Sequence, residues 1–564
     1  MANSNGLETR LLSSLTKVFA DEEIKERKWD KGSMLCNEVY SFQMAYCWKQ
    51  SMIKQVGVRV VSELSPWVTI RKVELVPVEM PCYADHDDNL LRTTPGLYPD
   101  LLQPFNEDEL TLLPNQWRSL WLTIDPKTQA NGGIYPIEVI FENNQGDMLA
   151  SETYILTIIE SKLPKQSLIH TEWFHTDCLA TWYNVEVFSE EHWQVIEQYM
   201  KTAVQHGINM ILTPIFTPPL DTQVGGERLT VQLVDVEKIG NKYRFGFDKL
   251  SRWIELCRSN GVEYLEFSHL FTQWGAKHAP KIMAVENGEM KRIFGWDTEA
   301  MGEDYGCFLD EFLFSLVTFI KERGLEKCCY FHISDEPNLD HLESYENASI
   351  IINKHLNGFP VLDALSDYEF YEKGLVKIPI PATIHIDAFL EHNIPDLWTY
   401  YCGFFYKKVS NRFISIPSAR NRVFGMQLYK FNILGFLHWG YNFWYSQYSI
   451  CPIDPFRVTD SGFFVPAGDA FLVYPGDGGP LESIRLEVFY EALQDMRAFK
   501  LLEEMVGRED VLKMIEEGLE TPITFSEYPS DAEWLLQKRE DINRRISEYN
   551  RDNKTKPSYK KLIK

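Results

Sequence analysis

After Lys162-Leu163-Pro164-Lys165 the hydrophobic period of the chain changes, and short apolar runs begin to alternate with helical stretches. The predicted strands are Leu168–Phe174, Ile208–Thr213, Val262–Phe267, Cys328–Ser334, Val361–Ala364, Ala382–Ile386, Leu397–Cys402 and Gly435–Trp439. Between them fall helices such as Glu190–Gln205, entered through Ser189, then Lys249–Ser259 and Tyr305–Arg323, and a hairpin of Leu229–Val236 with Tyr243–Phe247. Strand–helix alternation eight times over roughly 300 residues fits a (β/α)8 barrel with insertions. In such a barrel chemistry belongs at the C-terminal ends of the strands.

The flanking stretches read differently. Up to about residue 163, β-rich runs (Met34–Trp48, Val56–Leu64, Trp67–Val78, Trp117–Ile124, Ile134–Phe141 and Thr153–Ile159) are separated by turn signals such as Asn131-Gly132-Gly133. They predict a β-sandwich in which Trp48, Trp67, Trp117 and Trp121 pack the core rather than bind sugar. The expected division is a sandwich over 1–163, a barrel over 164–464, and loops and helices over 465–564. The loops around Pro466-Ala467-Gly468-Asp469 and Tyr474-Pro475-Gly476 are expected to fold back near the barrel mouth, and the basic end Lys554–Lys564 to be a solvated tail.

A formal charge of −25 argues against a nucleic-acid groove or an anionic membrane surface as partner. No apolar run is long enough to cross a bilayer, and the first ten residues have neither a basic nor an apolar leader region. The ten cysteines are scattered without a CxxC pair. These features predict a soluble, acidic, cytoplasmic protein with no membrane insertion; they leave its oligomeric state open.

The most informative strand exit is Tyr330-Phe331-His332-Ile333-Ser334-Asp335-Glu336-Pro337. Pro337 lacks an amide hydrogen and disfavours helical geometry at Glu336, so the two acids should sit where the strand ends. A turn there lets neighbouring side chains address one cleft. The same residues also read as an ordinary turn before a helix capped by Asn338 near His341–Leu356. Other predicted strand exits carry Trp173-Phe174-His175-Thr176-Asp177, Pro219-Leu220-Asp221, Ser268-His269, Gln273-Trp274-Gly275, Trp398-Thr399-Tyr400 and His438-Trp439-Gly440-Tyr441-Asn442. Rings mixed with amides, imidazoles and acids suit a sugar, whose flat faces stack while its hydroxyls need acceptors.

Neither HxH nor HExxH spacing is present, GxSxG is absent, and no motif requires a cofactor or metal. Retaining glycosidases usually hold two carboxyls about 5–5.5 Å apart, one as nucleophile. Adjacent acids suit instead a reaction in which a 2-acetamido group of the substrate attacks its own anomeric carbon. One carboxylate then steadies the amide N–H while the other protonates the leaving oxygen.

Phe331–Pro337, Trp398–Cys402, Gly435–Trp444 and Pro466–Asp469 with Tyr474–Gly476 resemble glycoside hydrolase family 123, over most of the chain. The resemblance implies a β-sandwich ahead of a TIM-type barrel. It also implies an exo-acting β-N-acetylgalactosaminidase that retains configuration by substrate assistance. Asp335 would hold the acetamido nitrogen, and Glu336 would be the general acid and then the base, with the raised pKa of the pair. His175, Asp177, His269, Trp274, Tyr400, Trp439 and Asn442 are the expected sugar-binding residues. Three alternatives stay open: activity on β-N-acetylglucosamine, a non-catalytic sugar-binding protein, and a glycosidase with a distant nucleophile such as Asp177, Asp221 or Asp367.

Overall fold

The computed structural model describes residues 6–105 and 110–555; residues 556–564 of the expected basic tail lie outside the described residues. The chain groups into two compact units. Among the described residues, 410–430 and 481–555 group with those up to 166, while 167–409 and 431–480 make the second unit.

In the first unit two sheets share one core. One runs Leu7–Ser13, Tyr40–Trp48, Trp117–Ile124, Val68–Val78 and Gly96–Pro104; the other runs Lys31–Leu35, Met148–Ile159, Gly133–Glu142, Ile53–Val61 and Leu110–Leu112. Alternate residues point inward, Leu120, Leu122 and Ile124 from the first sheet meeting Ile137, Val139 and Phe141 from the second. Phe42 stacks on Tyr154 with ring centres 4.2 Å apart. Trp48, Trp117 and Trp121 are buried, and Trp67 packs against the same core.

Met34–Trp48 is two strands, broken where Glu38 turns back to accept the Leu35 amide (2.9 Å). Gly96–Pro104 hides behind three prolines in the sequence. Pro99 is tolerated because it faces Leu75 at a register shift, where a ladder donor is dispensable. The C-terminal helices of this unit are Ile484–Val506, Arg508–Glu516 and Ala532–Thr555.

The second unit is built on short parallel strands. Six form one sheet in the order Cys329–Phe331, Tyr264–Phe267, Met210–Thr213, Ile169–Glu172, Gly435–His438 and Trp398–Tyr400. Leu362–Ala364 and Ile378–Ile380 form a second parallel pair. Single parallel bridges join Phe331 to Val361 and Ala382 to Tyr400. The expected strand Ala382–Ile386 is replaced by Ile378–Ile380, in a run whose Pro379 and Pro381 argue against a strand from sequence. The prolines are harmless because Ile378 supplies the N–H to Val361 O (3.2 Å), and Pro381 only accepts, from Tyr400 N–H (3.1 Å). Gly435 is needed for packing, since a Cβ there would lie 2.1 Å from the Trp398 ring.

The helices Glu190–Gln205, Asp248–Ser259, Glu303–Glu322 and Leu342–His355 separate the strands. Ser189 caps the first by accepting the His192 amide (3.2 Å). The long connections carry a four-stranded sheet in which the hairpin is Asp235–Ile239 with Lys242–Gly246, its first strand a few residues later than expected and its second one residue earlier. No helix among the described residues is long and apolar enough to cross a membrane.

Candidate active site

Beyond Phe331 the chain leaves the sheet and turns sharply. Glu336 adopts a left-handed backbone, φ 43°, rather than the extended one expected before proline. The turn is held by Glu336 N–H donating to Ala364 O (3.1 Å) and Trp274 N–H donating to Asp335 O (2.9 Å). Asn338 caps the 3-10 turn Leu339–His341 through the Asp340 amide (3.0 Å), so the turn-and-cap reading and the site reading describe the same segment. As a result both acids line one cavity of about 150 Å³ at the C-terminal ends of the parallel strands.

Rings enclose that cavity: Trp173, Trp274, Tyr400 and Trp439 come from strand ends or the loops after them. Tyr448 and Phe464 come from the long connection after the last strand. Trp274 meets Tyr448 edge-on at 5.8 Å. The walls are conformationally strained, with left-handed backbones at Asp221, Trp274 and Tyr448 as well as Glu336. Non-glycine residues keep such angles only where their surroundings over-determine them, and they concentrate at functional sites. The loop around Gly468 reaches this site as expected: Asp469 accepts from Trp439 Nε1 (2.8 Å) and from His438 Nε2 (3.2 Å), fixing the indole plane.

The two acids differ in support. Tyr400 O–H donates to Glu336 Oε1 at 2.7 Å. The Asp335 carboxyl receives no hydrogen bond from any described residue, although burial disfavours its charge. Burial pushes Asp335 well above the usual carboxylate range, and the charge of Glu336 pushes it further, against the pull of His332. Burial raises Glu336 too, with the Tyr400 hydroxyl opposing. Two acids this close share a proton. Both carboxyls are thus held above their ordinary range, Asp335 more strongly, where the sequence expectation placed the raised value on Glu336.

The remaining expected residues divide. His175 lines the cavity, but both ring nitrogens are engaged: Nε2 donates to Trp439 O (2.9 Å), and Nδ1 accepts from Arg228 (3.0 Å). Burial and the Arg228 charge lower its pKa to about 3, so it is a neutral brace offering a ring edge. Asp177, His269 and Asn442 are not among the lining residues. Asp177 grips Arg228 through two 2.8 Å bonds. Burial opposes its charge, but Arg228 outweighs burial and lowers the pKa. Asn442 clamps the His175 backbone in both directions, accepting from its N–H (2.9 Å) and donating to its C=O (3.1 Å). His269 lies behind the wall, stacked at 4.2 Å on His332 and edge-on to Trp173.

His269, His332 and Asp363 bring potential metal-ligand atoms within 4.8 Å of one another. His332, however, already donates to Glu266 (2.7 Å) and Asp363 (3.1 Å), so those three form an ion-pair cluster, while neither ring nitrogen of the buried His269 has a hydrogen-bond partner among the described residues. Sequence reasoning missed Arg228, Phe404, Gln447, Tyr448 and Phe464. All lie in long connections with no periodic signal, whereas Trp173, Asp221 and Gln273, which also line the cavity, stood in quoted strand exits.

Rings set around paired carboxyls at the ends of parallel strands are the apparatus of a sugar-cleaving enzyme. The chain belongs to glycoside hydrolase family 123: the model of the family's catalytic domain matches residues 173–502. It also superposes on a family 123 glycoside hydrolase from Clostridium perfringens, described for glycolipid glycan hydrolysis. That match has 16% identity and a TM-score of 0.75, covering 97% of this chain and 99% of that one. A β-glucuronidase from Parabacteroides merdae (10% identity, TM-score 0.29, 87% and 51% covered) and a GH10 xylanase from termite gut (11%, 0.32, 65% and 86%) are too distant to inform the site. A search of curated proteins found no match.

Proposed function

We propose that this glycoside hydrolase releases terminal β-linked N-acetylgalactosamine from a small glycan or glycoconjugate, with retention of configuration and with the substrate's acetamido group as nucleophile. The observation that carries the reading is the Asp335 carboxyl: shielded by the cavity, adjacent to a second acid, and without a donor of its own. An acetamido N–H supplies that donor. Once it binds, the Asp335 anion is stabilised and the shared proton passes to Glu336, beside the leaving oxygen. The carbonyl oxygen then attacks the anomeric carbon as Glu336 protonates the departing group. Glu336 next takes a proton from the water that opens the oxazolinium ion.

The parallel sheet and pair, with their two bridges, are read as one (β/α)8 barrel, and the enzyme as cytoplasmic. The glycolipid work on the Clostridium relative supports a glycoconjugate substrate. The test sets aryl β-N-acetylgalactosaminide, β-N-acetylglucosaminide and β-galactoside side by side, with a thiazoline mimic of the cyclised sugar as inhibitor. The galactosaminide should turn over fastest, the galactoside should stay near background, and the thiazoline should compete. Equal rates on the galactoside would remove the acetamido group from the mechanism.

A further inference from the structure

The cavity contains a third carboxyl, Asp221. It belongs to the connection after the strand Met210–Thr213 and holds a left-handed backbone at φ 36°, an unfavourable angle for a residue with a side chain. Three bonds between its loop and the loop opposite maintain it. Tyr448 N–H donates to Asp221 Oδ2 (3.1 Å), the Ser449 hydroxyl donates to Asp221 O (2.7 Å), and Gln223 N–H donates to Tyr448 O (3.0 Å). The other carboxyl oxygen, Oδ1, receives no donor from any described residue.

The other polar groups of the wall are largely committed. His175 is used at both nitrogens, Trp439 Nε1 goes to Asp469, Tyr400 O–H goes to Glu336, and the Gln273 amide donates to Thr222 O (3.1 Å). A sugar entering this pocket loses water from several hydroxyls, and each needs an acceptor to avoid a desolvation penalty. Apart from the catalytic pair, the strongest uncommitted acceptor facing it is Asp221 Oδ1. Burial, partly offset by Arg228, raises the Asp221 pKa to about 7, consistent with a carboxyl that gains from a hydroxyl partner.

Building on the glycosidase reading above, we infer that Asp221 is a specificity-determining residue that accepts a hydrogen bond from a ring hydroxyl of the terminal sugar. It is braced at one oxygen by the Tyr448 loop and offers the other to substrate. Recognition therefore depends on two connections distant in sequence being closed on one another. Asp221 is not the nucleophile: the acetamido group fills that role.

The test combines two variants with deoxy substrates. Asp221→Gly removes the carboxyl at a backbone angle glycine adopts freely. Asp221→Asn keeps the brace by turning its carbonyl to Tyr448 N–H, which leaves an amide NH2 facing the sugar. With aryl β-N-acetylgalactosaminide, Asp221→Gly should raise KM roughly tenfold or more with a smaller change in kcat, and Asp221→Asn should do so less. Among the 3-, 4- and 6-deoxy glycosides, one should be weakened in the wild type yet no weaker still in Asp221→Gly, identifying the hydroxyl. If Asp221→Gly matches the wild type, or its loss simply adds to that of all three deoxy substrates, the inference fails. Loss of kcat on every glycoside with KM unchanged would make Asp221 part of the chemistry and also overturns it. A wild type that turns over none of the N-acetylhexosaminides overturns the proposed function and this inference with it.

Discussion

Within five residues of one strand exit the protein treats buried charge in two opposite ways. His332 is wedged between Glu266 and Asp363. Glu266 also receives the Trp173 indole N–H (2.8 Å) and the Thr171 hydroxyl, while Asp363 receives the Ile333 amide (3.0 Å) and the Tyr345 hydroxyl (2.5 Å). Burial alone would lower the His332 pKa, but its two carboxylate partners outweigh burial and raise it to about 9. Three residues on, Asp335 has no donor and Glu336 has one. Satisfied charge fixes the strand end, and unsatisfied charge waits for a ligand. Buried carboxyls around one strand exit therefore serve as scaffold and as chemistry, and only their hydrogen-bond partners distinguish them.

The contrast breaks most visibly at Glu336. Glu336→Gln should lower kcat by about 10²- to 10⁴-fold on substrates with poor leaving groups, and by much less on activated aryl glycosides, with binding of the thiazoline largely retained. Near-normal rates on a natural oligosaccharide would remove Glu336 from the general-acid role. On the scaffold side, His332→Leu leaves two buried carboxylates without their cation. It should cost roughly 3–5 kcal/mol of stability in denaturant titration, far more than any pocket substitution. A loss under 1 kcal/mol would mean the cluster is not held by charge.

Asp-Glu-Pro alone reads equally as a turn before a helix cap, so the paired acids were legible only beside the aromatic and polar residues at the other strand exits, and the rings of Trp274, Tyr400 and Trp439 were legible from their place at strand ends. The direction of a side chain was not. Asp177 and Asn442 stand in the right segments but face inward, each to hold another group, and no local pattern tells an inward acid from an outward one. Arg228, the partner of Asp177, lies 51 residues away in an irregular connection. Tyr448 and Phe464 come from loops whose strained angles depend on tertiary contacts. In the fold the longer strands were found readily, whereas Ile378–Ile380 and Gly96–Pro104 were concealed by prolines placed where no ladder donor is required.

A smaller effect sharpens the difference between the two acids. Tyr400→Phe removes the one donor to Glu336, so the Glu336 anion becomes harder to form in the free enzyme. The alkaline limb of kcat/KM should move upward, and the rate near neutrality should change by about tenfold or less. An unmoved limb would show that the hydroxyl does not act on the pair.

The last test carries the opposite sign from His332→Leu. Both pocket carboxyls titrate above their ordinary values of 3.8 and 4.5, so the folded protein holds protons that the unfolded chain releases. Their contribution to stability is then greatest at acid pH and falls as pH rises from about 4 towards the raised native values. Asp335→Asn removes one of the two groups. The variant should match the wild type near pH 4 and become more stable by roughly 0.5–2 kcal/mol at pH 7, while losing turnover of N-acetyl substrates. His332 runs the other way. Its folded pKa lies above the ordinary 6.5, so its contribution is complete below 6.5 and is lost as pH rises through about 9. Denaturation curves for wild type, Asp335→Asn and His332→Leu at pH 4.5, 7 and 9 separate these terms. An Asp335→Asn variant less stable than wild type at pH 7 would mean that Asp335 has a partner within the fold, and the argument that its partner is the substrate's amide would lose its footing.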